Sequence, residues 1–365
     1  MAKVVYLLGA GASRGTRDYD GKSLSREEIE NDNNHILTGI PLVNEIPQRL
    51  RYVINLLSST DFPNHEDKIM RSNANGGTFF TDAKKILVKD LQWLADETAR
   101  HATIDTFAKK LYLTSAHTQF DKVKKLLTVF FIVEQYLNKA DGRYDTFLAN
   151  VLTENRRIPD DIAILTWNYD SQFEIAYREY NQGSICYPSE IGVCSEYNTD
   201  EGEIENIPSK IFKLNGSASF RQFGSVGAKC DNSCQDIEYL FIDKILENYL
   251  KPSNNSMLSF AWDNNLKGTE RSKWFHDTLT KELSGATTLV VIGYTFPYFN
   301  REVDRELFKK MFALEHIYIQ DPNAALLKNN ILPVLSDVQK SVAKRLQDKI
   351  TTITNCDQFY LPPEL

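Results

Sequence analysis

Runs of Val, Ile and Leu without polar alternation punctuate the chain at Lys3–Leu8, Asp161–Leu165, Lys210–Leu214, Thr287–Ile292 and His316–Ile319. Short unalternating runs of this kind predict strands covered on both faces, as in a parallel sheet. A 3.6-residue period fills much of the stretch between the first two runs. It predicts helices at Leu42–Leu57, Asp82–Arg100, Ile104–Leu113 and Phe120–Leu137. About 150 residues are too many for one crossover helix, so 42–150 is read as a helical subdomain inserted into the sheet domain. Polar stretches at Thr16–Asn34, Ser58–Gly77, Asn181–Asn206 and Gly224–Asn232 predict loops; Ser253–Gly268 is polar apart from Met257–Trp262. From Leu326 to about Asp348 one or two surface helices are expected, within a C-terminal helical extension at 326–365. The predicted class is α/β: a Rossmann-like parallel sheet with helices on both faces and a large helical insertion.

Composition narrows the function classes. A formal net charge of −7 argues against direct nucleic-acid binding, which rewards clustered Lys and Arg. The short basic run Lys122–Lys125 is flanked by Asp121 and reads as a solvated helix face. The longest apolar run of note, Leu126–Val133, is far below the roughly 20 residues of a membrane span. A strand opens the chain at once, so no signal peptide is expected. Five cysteines in 365 residues do not make a disulfide scaffold, and a reducing cytoplasm is the expected compartment.

All five predicted strands end in residues suited to ligand contact, and in such sheets ligands collect beyond the carboxyl ends of strands. Gly9-Ala10-Gly11-Ala12-Ser13 follows the first strand, where small residues let backbone N–H groups approach a pyrophosphate. A tight turn without a ligand explains the same residues. Thr166-Trp167-Asn168-Tyr169-Asp170 follows the second strand, and Asn168 or Asp170 could equally cap the helix Ser171–Tyr180. Lys213-Leu214-Asn215-Gly216-Ser217 ends the third strand, Gly293-Tyr294-Thr295 the fourth, and Asp321 stands at the end of the fifth, before Pro322.

In this order the motifs resemble the sirtuin family, over roughly 1–15, 158–220 and 285–325. Gly39-Ile40-Pro41 echoes that family's Gly-Ile-Pro loop, with Leu42-Val43-Asn44 in place of its Asp-Phe-Arg. Thr103-Ile104-Asp105-Thr106-Phe107 and Gly293–Pro297 followed by Asn300-Arg301-Glu302 are similar to sirtuin-like NAD-hydrolysing proteins of bacterial antiphage defence. The resemblance implies NAD as substrate, with Gly9, Ala10, Gly11, Ala12 and Ser13 at the pyrophosphate. It implies Asn168 beside the nicotinamide ribose, ordering the attacking water, and Asp170 at the carboxamide. Gly293, Tyr294 and Thr295 would lie near the adenosine ribose and phosphate, and Asp321 has the chemistry for ribose hydroxyls or for a simple turn.

Asn215 departs from the family, which has His in that slot as a base for a ribose hydroxyl; Asn accepts no proton at neutral pH. Three readings follow: a substitution that silences the enzyme, a natural feature of a hydrolase, or a protein that binds NAD without cleaving it. The zinc module of deacylating sirtuins has no clear counterpart. Cys186, Cys194 and Cys230-x3-Cys234 are poorly spaced for zinc, and no metal site is expected. His101 reads as a packed or solvent-facing residue, and Phe130-Phe131 and Tyr294–Phe299 as packing or an oligomer contact.

The expectation is a regulated NAD glycohydrolase that releases nicotinamide and ADP-ribose as an NAD-depleting effector of antiphage immunity, restrained by a separately encoded sensor or by homo-oligomerisation. The alternatives are a catalytically inactive NAD or ADP-ribose binding subunit and, behind it, an NAD-dependent protein deacylase. A conventional dehydrogenase is disfavoured because the first loop lacks the third glycine of its fingerprint.

Overall fold

The computed structural model describes residues 1–14, 39–58, 76–138, 140–180, 191–197, 209–221, 245–263, 268–338 and 340–365. Its centre is a seven-stranded sheet in the order β3-β4-β2-β1-β7-β8-β9, parallel at every pairing. The strands are β1 (Val4–Leu8), β2 (Ile162–Thr166), β3 (Val193–Cys194), β4 (Ile211–Lys213), β7 (Thr288–Ile292), β8 (His316–Gln320) and β9 (Ile350–Ile353). Each predicted strand is present, with ends displaced by a residue or so.

The absence of alternation in β1 has a direct cause. Val5 and Leu7 enter the core on one face of the sheet, while Val4, Tyr6 and Leu8 enter the core on the other. Helices α7 (Glu270–Leu283), α8 (Arg301–Lys310), α9 (Ala324–Val338) and α10 (Lys340–Gln347) cover the first face. Helices α5 (Gly142–Val151) and α6 (Gln172–Tyr180) cover the second. The architecture is therefore a doubly covered, Rossmann-like α/β sheet.

A third core lies apart from both faces. It joins α1 (Ile46–Ser58), α2 (Gly76–Arg100), α3 (Ile104–Leu113) and α4 (His117–Leu137), centred on Leu91, Leu94, Val123, Leu127 and Phe130. Two short antiparallel strands, β5 (Gly216–Arg221) and β6 (Asn255–Leu258), pack their Phe220 and Leu258 into the same core. The helical block thus takes residues from beyond the 42–150 stretch, while α5 within that stretch packs on the sheet. Phe130 and Phe131 are buried in this core, as their packing reading predicts.

Three elements depart from the sequence reading. After a turn at Leu214–Asn215, which the sequence reading allows, the chain continues as β5, a strand that reading lacks. The C-terminal extension adds β9 to the sheet beyond its two helices. Lys124 is buried and pairs with Asp263 at 2.8 Å, so the run Lys122–Lys125 is only partly a solvated face. Among the described residues, no helix is long and apolar enough to cross a membrane.

Candidate functional site

Because the sheet is parallel, the carboxyl ends of β1, β2, β4, β7 and β8 all open on one edge. The chain runs leftward from β1 to β2 and rightward from β7 to β8, so the connections diverge between β1 and β7. Such a switch point is where open α/β sheets hold ligands.

At that point two loops meet backbone to backbone. The Gly11 N–H donates to the Gly293 carbonyl at 3.0 Å, and the Gly9 N–H to Ile292 at 3.0 Å. A Cβ on Gly9 would lie 2.6 Å from the Gly293 oxygen, and one on Gly293 would lie 2.5 Å from the Ala12 nitrogen. Gly293 also holds φ at +59°, which disfavours any side chain. Loop-to-loop packing therefore accounts for these glycines with or without a ligand. The N–H groups of Ala12 and Ser13 are taken by the carbonyls of Gly9 and Ala10. Among the described residues, the Ala10 N–H is the one in this loop with no recorded partner.

Ser13 is the hub of the β1 and β2 ends. The Asn168 side-chain amide donates to the Ser13 hydroxyl at 2.9 Å and to the Gly9 carbonyl at 2.9 Å. The Ser13 hydroxyl lies 2.7 Å from the Tyr144 hydroxyl. Burial raises the Asp170 pKa, against the Ser13 hydrogen bond and the Lys213 charge, which lower it. Asp170 also accepts from the Gln172 N–H at 3.2 Å, so it shapes the entry to α6 as the capping reading allows. The Lys213 ammonium donates to the Asp170 carbonyl and pairs with Glu174, both at 2.6 Å. Asn168 thus spends its amide on the Gly9 loop.

Residues from the helical region complete this hub and had no signal in the sequence. Tyr144 comes from α5, 131 residues from Ser13 in the chain. Its neighbour Arg143 donates to the Ala12 carbonyl at 2.9 Å and pairs with Asp141 at 2.6 Å. The Ile40 N–H donates to the Ser13 carbonyl at 2.8 Å, which brings Gly39-Ile40-Pro41 beside the first loop.

The tip of β4 is differently furnished. Asn215 is 8 % exposed, and its Oδ1 is buried without a partner. Its carbonyl accepts the Ser259 N–H at 2.8 Å, and the Ser259 carbonyl in turn accepts the Tyr169 phenol at 3.1 Å. Burial first, then the charges of Asp105 and Asp263, push the Tyr169 pKa well above its usual range. Asp263 is neutralised by Lys124. Asp105, in the first turn of α3, is pushed up to about 6 by burial, against a smaller lowering from a backbone hydrogen bond.

The remaining predicted residues divide. Tyr294 turns into the core: it stacks on Trp167 at 5.8 Å between ring centres and donates its phenol proton to Asp304. Burial lifts Asp304 to about 8. Thr295 is exposed, and its carbonyl accepts from Asn330. Asp321 accepts the Asn323 N–H at 2.7 Å, as a turn residue would. Burial raises its pKa, and the nearby Arg14 charge, with a smaller effect than the Asn323 bond, lowers it. His101 is satisfied locally, with Nδ1 2.7 Å from the Glu97 carbonyl and its ring against Phe107. The structure thus unites Gly9–Ser13, Asn168, Asp170 and Gly293, sets Asn215 beside Tyr169, and leaves Tyr294 in the core.

Among the described residues no cluster of His, Cys, Asp and Glu could hold a metal. Cys194 is buried, with its thiol pushed up to about 12 by burial. Cys186, Cys230 and Cys234 lie outside the described residues. Compared with known protein families and with curated proteins, the chain matches none.

Proposed function

We propose that this chain is an NAD glycohydrolase whose substrate lies across the carboxyl ends of β1, β2, β4 and β7. The observation that carries the reading is the bond of the Asn168 amide to both Gly9 and Ser13. It ties the two motifs most characteristic of the sirtuin resemblance into one polar floor at the switch point of the sheet. Two groups on this floor suit a nucleotide ribose. With its amide donated, Asn168 has an Oδ1 whose chemistry is to accept from a water or hydroxyl, and the buried Asn215 Oδ1 lacks a donor that a ribose hydroxyl would supply. The Ala10 N–H is available to a phosphate oxygen.

In this reading Asn168 orients water at the reacting ribose, and Ser13 and Tyr144 hold Asn168 in place. Cleavage expels neutral nicotinamide through an oxocarbenium-like transition state, so fixed dipoles contribute much of the acceleration. Incubation of the full chain with NAD, followed by chromatography, is expected to yield nicotinamide and ADP-ribose in equal amounts.

The absence of a basic side chain at Asn215 favours a second reading, an inactive NAD or ADP-ribose binder. A thermal shift with NAD and no product would decide for it, and dependence on an acyl-lysine peptide would decide for a deacylase. As an effector that consumes cytoplasmic NAD in antiphage defence, the enzyme needs restraint by a sensor protein or by self-assembly. A small monomer with full activity on size exclusion would remove that part of the proposal.

A further inference from the structure

We infer that Phe359 is a positioning residue for the first loop, acting on Ala12 and Ser13 through Arg143 and Tyr144. The inference rests on the hydrolase reading above and deepens it, because Ser13 is a group that holds Asn168. After β9 the chain has no regular structure over 354–360, yet it lies against the sheet with Phe359 buried in the core. Irregular backbone in such a place must find its partners outside a strand ladder. Here side chains supply them. The Gln320 amide, at the end of β8, donates to the carbonyls of Asn355 at 2.7 Å and Gln358 at 2.6 Å, and its oxygen accepts the Tyr360 N–H at 2.9 Å. The Tyr6 phenol of β1 donates to the Tyr360 carbonyl at 3.2 Å.

Phe359 is thereby fixed over the start of α5. Its ring meets Tyr144 edge-on, with centres 4.9 Å apart and planes at 77°, and lies 6.0 Å from the ring of Phe147. The Arg143 guanidinium stands over the same ring, 5.3 Å from its centre. Arg143 commits all three of its nitrogens. Nε and Nη2 go to Asp141, Nη1 donates to the Cys356 carbonyl at 3.3 Å, and Nη2 also donates to the Ala12 carbonyl at 2.9 Å. A guanidinium is planar, so the surface it rests on sets the direction of its N–H groups. Tyr144 brings its hydroxyl to within 2.7 Å of the Ser13 hydroxyl. One ring therefore backs both of the side chains that α5 extends to the first loop.

Burial of apolar surface alone does not call for an aromatic residue here. An aliphatic side chain would cover Phe147 too, but it offers a guanidinium no π face and a phenol ring no edge-on partner. The demand comes from the two polar arms and what they hold. A displacement of about 1 Å at a group that orients a reacting water costs about 10² in rate. Support for Ser13 therefore reaches turnover through Asn168, although Phe359 itself lies outside the crevice.

The test uses the full chain. Phe359→Leu is expected to lower kcat for nicotinamide release by about 10–100-fold while KM for NAD stays within about threefold. Arg143→Lys keeps the charge and loses the planar fork, so it should show the same split, and the double variant should lose no more than either single one. Arg143→Lys carries the expectations alone should Phe359→Leu fold poorly. Without any ligand, amide exchange at Gly11, Ala12 and Ser13, whose N–H groups are all bonded within the loop contact, should quicken by about tenfold in Phe359→Leu. Exchange at Leu91 and Leu94, in the helical core, should stay at the wild-type rate. A folded Phe359→Leu with wild-type kcat, or with unchanged exchange in the loop, overturns the inference and leaves the hydrolase reading standing. Exchange that rises equally in the loop and at Leu91 and Leu94 also overturns it, since the ring would then serve stability alone. A wild-type chain that releases no nicotinamide removes the hydrolase reading, and exchange in the loop then decides the inference by itself.

Discussion

The two ends of the strand-tip crevice are built on opposite principles. Between β1, β2 and β7 the loops are tied to one another: glycine packs on glycine, Asn168 gives its amide to two acceptors, and the Ser13 and Tyr144 hydroxyls meet. At the tip of β4 the buried Asn215 amide oxygen has no partner, and in the helical block burial raises the carboxyl of Asp105. The first arrangement yields rigidity, since a buried group loses free energy mainly when its partner is removed. The second costs stability, since a buried polar group without a partner keeps its full desolvation penalty. Substitutions should therefore destabilise the first end and relieve the second.

The comparison breaks most visibly at Gly293. Gly293→Ala places a carbon 2.5 Å from the Ala12 nitrogen at a backbone φ of +59°. A loss of several kcal/mol, read as a melting temperature lower by more than about 10 °C or as insoluble protein, is the expected result. A normal melt would dismiss loop packing as the reason for the glycines. Asn168→Ala strips the Gly9 carbonyl and Ser13 hydroxyl of a shared donor, a loss of about 2–3 kcal/mol by chemical denaturation.

Asp105→Asn should act in the opposite direction. Its folded pKa of about 6 exceeds the ordinary 3.8, so the fold prefers the protonated acid. That preference costs nothing below pH 4, builds as pH rises from 4 to 6, and is constant above. The variant should match wild type in thermal melts near pH 3.5 and exceed it by about 2–4 °C at pH 7.5. A gain of equal size at both pH values would show that charge burial is not its source.

Much of this design is legible in the sequence, and what escapes does so for physical reasons. The five strand ends are visible because burial on both faces writes continuous apolar runs, and their convergence follows from parallel order. The helix α3 is read to the residue, with Thr103 capping it by accepting the Thr106 N–H. β9 is hidden because its two threonines face solvent, and β5 because Gly216-Ser217-Ala218-Ser219 carries little apolar signal. Tyr144 and Arg143 could not be placed beside the first loop, because contacts across 131 residues leave no local spacing. The glycine pair is ambiguous in a different way: a phosphate loop and a loop pressed against a neighbour demand the same residue, and here the packing by itself is enough to require it.

The position of β1 has a consequence for how the molecule is made. This first strand lies in the interior of the sheet, and its neighbours begin pairing at Ile162 and Thr288. A ribosome must deliver about 160 residues before one edge of β1 can be sealed and about 290 before the other can. Throughout that interval the nascent chain carries an apolar segment with nowhere to dock, a natural client for chaperones. The same delay keeps the glycine loop, which packs on Gly293, without its partner until late in translation, so a chain cut short earlier should lack a finished loop there.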